Sequence, residues 1–311
     1  MADGSNREII DIEGNPRPKG ARIIWFEGVG GRRLRACLAP SISDSPRGTC
    51  IVCPGRTEFI EKYFEVARDL QARGFAVLIL DWPGQGLSER LLDDPRKGHI
   101  DNFQTFMGAL SNGLGAFAEL PKPYVSLAHS MGGAIALAAI GQKLVDVKAA
   151  GFCAPMWGLP LKRVQRYFIW AMRVMGRSND FAMKPGPPER FEENIVSHDE
   201  TRWRLNQALT DAAPELSLGP VTWGWLGASL DVFSEISAPS ILSQIEIPIF
   251  VASAAEEKLV DNRAHQEVAR RLPNCEHITV DNAMHEILME KDDKRAEFWG
   301  GFDRMLEKAG V

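Results

Sequence analysis

Apolar and polar positions follow two modes along the chain, and the switches between them mark out the elements. Residues 22–27 and 34–39 alternate or run apolar on either side of Gly28-Val29-Gly30-Gly31, the pattern of a hairpin. Beyond it come short apolar runs at 49–53, 75–80, 124–128 and 148–153, which read as strands. Between these runs, 63–73 has helical periodicity, and 103–120 and 131–144 also read as helices. Pro54-Gly55 breaks the first run, Gly74 ends the first helix, and Asp81-Trp82-Pro83-Gly84-Gln85-Gly86 closes the second run. Strand, helix and strand in succession make a crossover unit, which implies parallel pairing and right-handed connections. The hairpin then forms an antiparallel edge of the sheet.

From 154 to about 244 this rhythm stops, leaving helical segments, a Pro185-Gly186-Pro187-Pro188 break and no clear strand. The stretch holds five of the eight tryptophans, too much aromatic surface for a linker, so it reads as an insertion. The rhythm resumes with strands at 247–252 and 276–280 and helices at 263–272 and 291–307. The division expected is a polar leader (1–19), an α/β core (20–153 and 245–311) and a helical insertion (154–244). Within the insertion, 161–177 predicts a helix with Leu161, Val164, Phe168, Ala171, Met172 and Met175 on one stripe, packed against the core. Lys162, Arg166, Arg173 and Arg177 gather on another face with no acidic residue in the segment to neutralise them. That face is either solvated or meets anionic lipid or a substrate phosphate.

At 311 residues the chain can bury one large core, and a net charge of -5 gives no global attraction to nucleic acid. The leader fits neither a secretory signal nor a transit peptide, and no apolar run reaches bilayer-spanning length. Five cysteines, an odd number scattered through apolar segments, predict buried thiols in a reducing compartment, so a cytoplasmic location is expected. Cys50-x-x-Cys53 has no second pair and reads as part of a strand rather than half a zinc site.

The chemistry centres on Val125-Ser126-Leu127-Ala128-His129-Ser130-Met131-Gly132-Gly133-Ala134, a strand that turns sharply into a helix at a serine. Small residues two before and two after the serine, here Ala128 and Gly132, let a nucleophile elbow fold and lift the Ser130 hydroxyl into an open site. A serine hydroxyl needs a base within hydrogen-bond reach and an acid to orient that base. On a doubly wound hydrolase they follow in the order nucleophile, acid, histidine, each after a strand. His285, in Asp281-Asn282-Ala283-Met284-His285-Glu286, is the candidate base. The segment Ala254-Ala255-Glu256-Glu257-Lys258-Leu259-Val260-Asp261 offers three carboxylates. The usual loop of acid, variable residue, two apolar residues and Pro or Asp selects Glu257 and leaves Asp261, the alternative acid, as helix N-cap. The oxyanion of a tetrahedral intermediate would take the backbone N–H groups of Met131 and Arg56. Gly84-Gln85-Gly86 lacks the further glycine and lysine of a phosphate loop and reads as a turn near the pocket mouth.

Five strings carry a family resemblance: Cys53-Pro54-Gly55-Arg56-Thr57-Glu58, Asp81-Trp82-Pro83-Gly84-Gln85-Gly86-Leu87-Ser88, Gly98-His99-Ile100, His129-Ser130-Met131-Gly132-Gly133 and Val260-Asp261-Asn262-Arg263. Over residues 20 to 308 the chain resembles the lysophospholipase L2 and monoacylglycerol lipase branch of the α/β hydrolases. The resemblance implies a mostly parallel, doubly wound sheet with an inserted helical cap, and a serine esterase without metal or organic cofactor. Its expected partner is an amphiphilic ester, a lysophospholipid or monoacylglycerol; the charge balance predicts no nucleic acid, and the basic face of 161–177, if not merely solvated, would bring the cap to an anionic inner membrane face. Pro54-Gly55 stands where the family often has His-Gly, which points to the phospholipid side of the branch. Glu58 and His99 match recurring positions and read as a helix-initiating carboxylate and a loop histidine. Ser130 argues against haloalkane or epoxide hydrolysis, where the elbow carries Asp. A peptidase or thioesterase would need the same triad, and a hydrolase-fold binding protein would not use it.

Overall fold

Eight strands join in one sheet among the described residues: β1 (Arg22–Glu27), β2 (Arg33–Ala39), β3 (Gly48–Cys53), β4 (Phe75–Leu80), β5 (Tyr124–His129), β6 (Ala150–Cys153), β7 (Ile249–Ala254) and β8 (Cys275–Val280). Their order is β1-β2-β4-β3-β5-β6-β7-β8, with β2 antiparallel to both its neighbours, β1 and β4, and the remaining pairings parallel. The computed structural model describes residues 9–186 and 190–311, so 1–8 of the leader and Pro187-Pro188 of the break lie outside the described residues.

The central strands are continuously apolar because both sheet faces are covered. Ile51 and Cys53 of β3 and Leu78 and Leu80 of β4 face α2 (Gln104–Ala116) and α3 (Met131–Gly141). Cys50 and Val52 point the other way with Val77 and Ile79, onto α1 (Phe64–Ala72) and α9 (Asp292–Ala309). Cys50 and Cys53 thus lie in opposite layers as free thiols and make no joint site. Arg35 of β2 is fully buried between Glu61 and Asp81, at 2.8 Å from each. Asp81 also accepts the Ile60 and Leu87 N–H groups, which holds the turn after β4.

Several ends differ from expectation. β7 starts two residues late because Pro248 has no N–H to contribute to the ladder. α2 stops at Ala116, four residues short, after the weak helix formers Gly113 and Gly115.

Between β6 and β7 lie α4 (Arg163–Val174), α5 (Glu200–Ala212), α6 (Trp223–Ile236) and the short α7 (Pro239–Leu242). Among the described residues this stretch adds no strand to the sheet and holds only an isolated bridge between Phe181 and Thr222. Most of the stripe predicted to pack against the core does not: of its members only Met172 is buried, together with Ile169 from outside it, whereas Val164, Phe168 and Met175 are exposed by 70%, 51% and 62%. The reason is that α4 rests on α6 rather than on the sheet, with Phe168 edge-on to Trp223. Nor is the basic face left without counter-charge, since Arg173 pairs with Asp231 of α6 and Arg177 with Asp180. Among the described residues no helix is long and apolar enough to cross a membrane.

Candidate active site

Ser130 occupies the turn between β5 and α3 with φ 49° and ψ -119°, a conformation L-residues rarely adopt. Close packing enforces it. A Cβ on Gly132 would strike the Cys53 and Pro54 carbonyls, and one on Gly133 would strike Pro155, so the helix start presses directly on the turn after β3. Ala128, buried in the sheet, shows that one methyl is tolerated on the strand side.

The loops after β7 and β8 bring the other two groups to this serine. Glu257 Oε2 lies 2.7 Å from His285 Nδ1, and His285 Nε2 lies 2.9 Å from Ser130 Oγ. With a carboxylate accepting at Nδ1, that nitrogen carries the proton and leaves Nε2 free to accept the serine proton. Burial works against the charge on Glu257, but the hydrogen bond and charge of His285 and the Leu259 and Val260 N–H groups outweigh it and hold its pKa below the usual value. Asp261 is engaged elsewhere: it caps α8 (Asn262–Ala269) through the Arg263 N–H at 3.0 Å and pairs with the Arg263 side chain.

Arg56 and Met131 sit on the two segments that meet at Gly132. Gln85 ties these segments together, accepting the Thr57 N–H at 2.7 Å and placing its amide 3.8 Å from the Met131 sulfur. Gly84-Gln85-Gly86 is a turn, as read, but its glutamine buttresses the candidate oxyanion site. Nothing in the spacing of the sequence signals that role.

Glu58 is the clearest correction. It initiates no helix; its carboxylate accepts the Gly55 N–H and, at 2.6 Å, the Tyr63 hydroxyl. Lys62 Nζ stands 2.9 Å from Glu58 and 2.6 Å from Glu286, the neighbour of His285. One buried ammonium therefore joins the loop carrying Arg56 to the loop carrying the histidine. Burial opposes both charges of the pair, but Lys62, then His129 and Tyr63, bring Glu58 down to about 2, while Glu286 and Glu58 raise Lys62. His129, whose pKa is lowered mainly by burial, packs its ring 4.8 Å from that of His285 and bonds the Cys153 carbonyl through Nδ1. Glu58, His129 and Glu286 bring ligand atoms within 4.8 Å of one another, yet the Lys62 ammonium already takes the place a metal cation would need.

We expect Lys62→Met to cost about 3–5 kcal/mol, because it leaves the buried Glu58 and the half-buried Glu286 without the cation they share. Urea unfolding measures the loss, and Glu286→Gln in the same chain should recover part of it. A loss below about 1 kcal/mol would mean that the ammonium does not hold the two loops.

His99 is a loop histidine that bridges core and insertion, bonding Thr222, the N-cap of α6, at 2.8 Å and Asp101 at 3.0 Å. The insertion also holds the histidine loop directly, through Glu286 N–H to the Val196 carbonyl and the Ser197 hydroxyl to the Met289 carbonyl.

Comparison with known proteins places the chain among hydrolases. The model of the Hydrolase_4 family, described as serine aminopeptidase S33, matches residues 44–292. The chain is 31% identical over 265 residues to lysophospholipase L2 of Escherichia coli K12, covering 79% of this chain and 76% of that protein. It is 30% identical over 256 residues to the probable lysophospholipase L2 of Haemophilus influenzae, covering 80% of each. Among solved structures it is similar to a soluble variant of monoglyceride lipase from Saccharomyces cerevisiae, at TM-score 0.74 and 15% identity over 95% of this chain and 98% of that one. It is also similar to the monoacylglycerol lipase of Paleococcus ferrophilus, at TM-score 0.69 and 15% identity over 88% and 98%. At such identities these structures establish the α/β-hydrolase fold.

Proposed function

The chain belongs to the Hydrolase_4 family, and from that premise we propose that it is a serine carboxylic ester hydrolase deacylating a lysophospholipid or monoacylglycerol. The observation that carries this reading is the line Glu257–His285–Ser130 at a strained elbow. Ser130 Oγ attacks the ester carbonyl as its proton passes to His285 Nε2. The tetrahedral oxyanion is taken by the N–H groups of Met131 and Arg56. The alkoxide leaves with the proton from His285, giving an acyl-serine and a free alcohol. Water, deprotonated by the same imidazole, then releases the fatty acid and regenerates Ser130. None of these steps calls for a metal or an organic cofactor.

The peptidase reading loses support at the acidic cluster of Glu58 and Glu286 beside the site. A peptide amino terminus needs a free carboxylate, and Glu58 and Glu286 are already engaged by Lys62. Activity on matched lysophospholipids, monoacylglycerols, short p-nitrophenyl esters and aminoacyl amides tests the assignment, with Ser130→Ala as blank. Preferential amide cleavage would replace it with the peptidase, and failure to label with a fluorophosphonate ester would leave a binding protein.

The insertion, residues 154–244, serves as a helical cap over this site, and its α4 carries the contact with membrane. Tyr167, Phe168, Trp170 and Val174 are exposed on it, and Lys162 and Arg166 form no ion pair among the described residues. Aromatic side chains beside free cations suit an anionic lipid surface, at the inner membrane face for a cytoplasmic protein. Each cation contributes about 1 kcal/mol there, so Lys162→Gln with Arg166→Gln should weaken binding to phosphatidylserine-containing vesicles roughly thirtyfold at low salt. Sedimentation with vesicles measures it; equal binding by both proteins at every salt concentration would make this a solvated face.

A further inference from the structure

Arg56 reaches from the turn after β3 to the insertion. Its Nη2 donates to the Gly219 carbonyl at 2.7 Å, and its guanidinium carbon lies 5.5 Å from the centre of the Trp225 ring on α6. Its Nε is shut off from solvent with no acceptor, and so is the neighbouring indole Nε1 of Trp225. The buried Arg35 stands between two carboxylates, but among the described residues no carboxylate comes within ion-pair distance of Arg56. Burial with no anion to oppose it pushes the Arg56 pKa down to about 10. The residue as a whole stays partly open, and Gly98 leaves the guanidinium room, since a Cβ there would stand 3.3 Å from Nη2.

An unpaired buried cation is costly, and so is each orphaned N–H donor beside it. A ligand that carries negative charge and several acceptor oxygens removes all of these penalties together. We infer that the Arg56 guanidinium and the Trp225 indole N–H form a subsite for the phosphate of a lysophospholipid, and so favour phosphate-bearing monoacyl esters over neutral monoacylglycerols. The inference rests on the ester-hydrolase reading above. Bond counting fits it: in a 1-acyl lysophospholipid as many bonds separate the ester carbonyl carbon from phosphorus as separate the Arg56 backbone nitrogen from its guanidinium carbon. One residue can therefore offer its N–H to the oxyanion and its side chain to the phosphate of the same substrate.

The experiment compares kcat/KM for a lysophosphatidylcholine and a monoacylglycerol of the same short acyl chain, both below their micelle concentrations. We expect wild type to prefer the phosphate ester, and Arg56→Met to lower the ratio of the two values roughly ten- to a hundredfold. Arg56→Lys should restore part of the preference. Trp225→Phe, which keeps a ring and removes the N–H, should lower the ratio about threefold or more. If both substrates lose rate by the same factor, Arg56 only ties the insertion to the core and the subsite is overturned. If inorganic phosphate inhibits wild type competitively while Arg56→Met leaves the ratio unmoved, the site takes free phosphate and the head-group assignment is overturned. Should Arg56→Met fail to fold, as judged by thermal unfolding, Trp225→Phe decides alone, and an unchanged ratio overturns the proposal. Wild type that cleaves neither lipid overturns the ester-hydrolase reading together with it, whereas wild type that cleaves both with a ratio no variant moves overturns the subsite only.

Discussion

Ser130→Ala should lower ester hydrolysis by about 10⁴-fold or more, a loss of at least ~5.5 kcal/mol of transition-state stabilisation, with the unfolding midpoint almost unchanged. The hydroxyl projects from a turn and, among the described residues, bonds only His285 Nε2, so alanine keeps the backbone and opens no core cavity. His285→Ala should match it in activity. Without the imidazole the serine has no base, and the Glu257 carboxylate keeps the Leu259 and Val260 N–H groups as partners. Steady-state rates on a p-nitrophenyl ester, corrected for contaminating host esterase with the purified double variant, decide the matter. Retention of more than about a hundredth of wild-type kcat by either variant would remove that residue from the mechanism.

The second large effect separates two neighbouring carboxylates. Glu257→Gln places an amide where His285 Nδ1–H now meets a carboxylate at 2.7 Å, so the imidazole loses the partner that fixes its tautomer and stabilises its protonated form. The expected fall in kcat is about 10³- to 10⁴-fold, with little change in stability. Asp261→Ala should do the opposite, costing about 0.5–2 kcal/mol through loss of the α8 cap and leaving kcat nearly intact. Circular-dichroism melts beside turnover rates distinguish the two, and a reversed pattern would transfer the acid role to Asp261.

Much of this molecule is legible along the chain because it is local. The continuous apolar runs of β3, β4 and β5 show burial on both faces, and the hairpin at β1 and β2 announces an antiparallel edge. The spacing of Ala128, Ser130 and Gly132 is itself the steric condition for the elbow, since only a hydrogen at position 132 clears the Cys53 and Pro54 carbonyls. The chain order of Ser130, Glu257 and His285 follows from strands that each end in a loop on one sheet edge. Choosing between Glu257 and Asp261 already leaned on a loop pattern, because both carboxylates follow the same strand.

Tertiary structure alone decides what depends on groups far apart in sequence. Nothing near Lys62 indicates that its ammonium will stand between Glu58 and Glu286, 224 residues further on, so Glu58 looks like a helix-initiating acid until the loops are in place. Helical periodicity identifies an apolar stripe on α4 but not what covers it: in the fold Ile169 and Met172 are buried, and Val164, Phe168 and Met175 stay in the open. Asp231 and Asp180 reach Arg173 and Arg177 from outside the helix, where a count of charges within it could not see them. The division is physical. Backbone sterics and side-chain periodicity act within a few residues and are written in the chain, whereas burial and charge pairing depend on which surfaces meet, and that is settled only when the whole chain has folded.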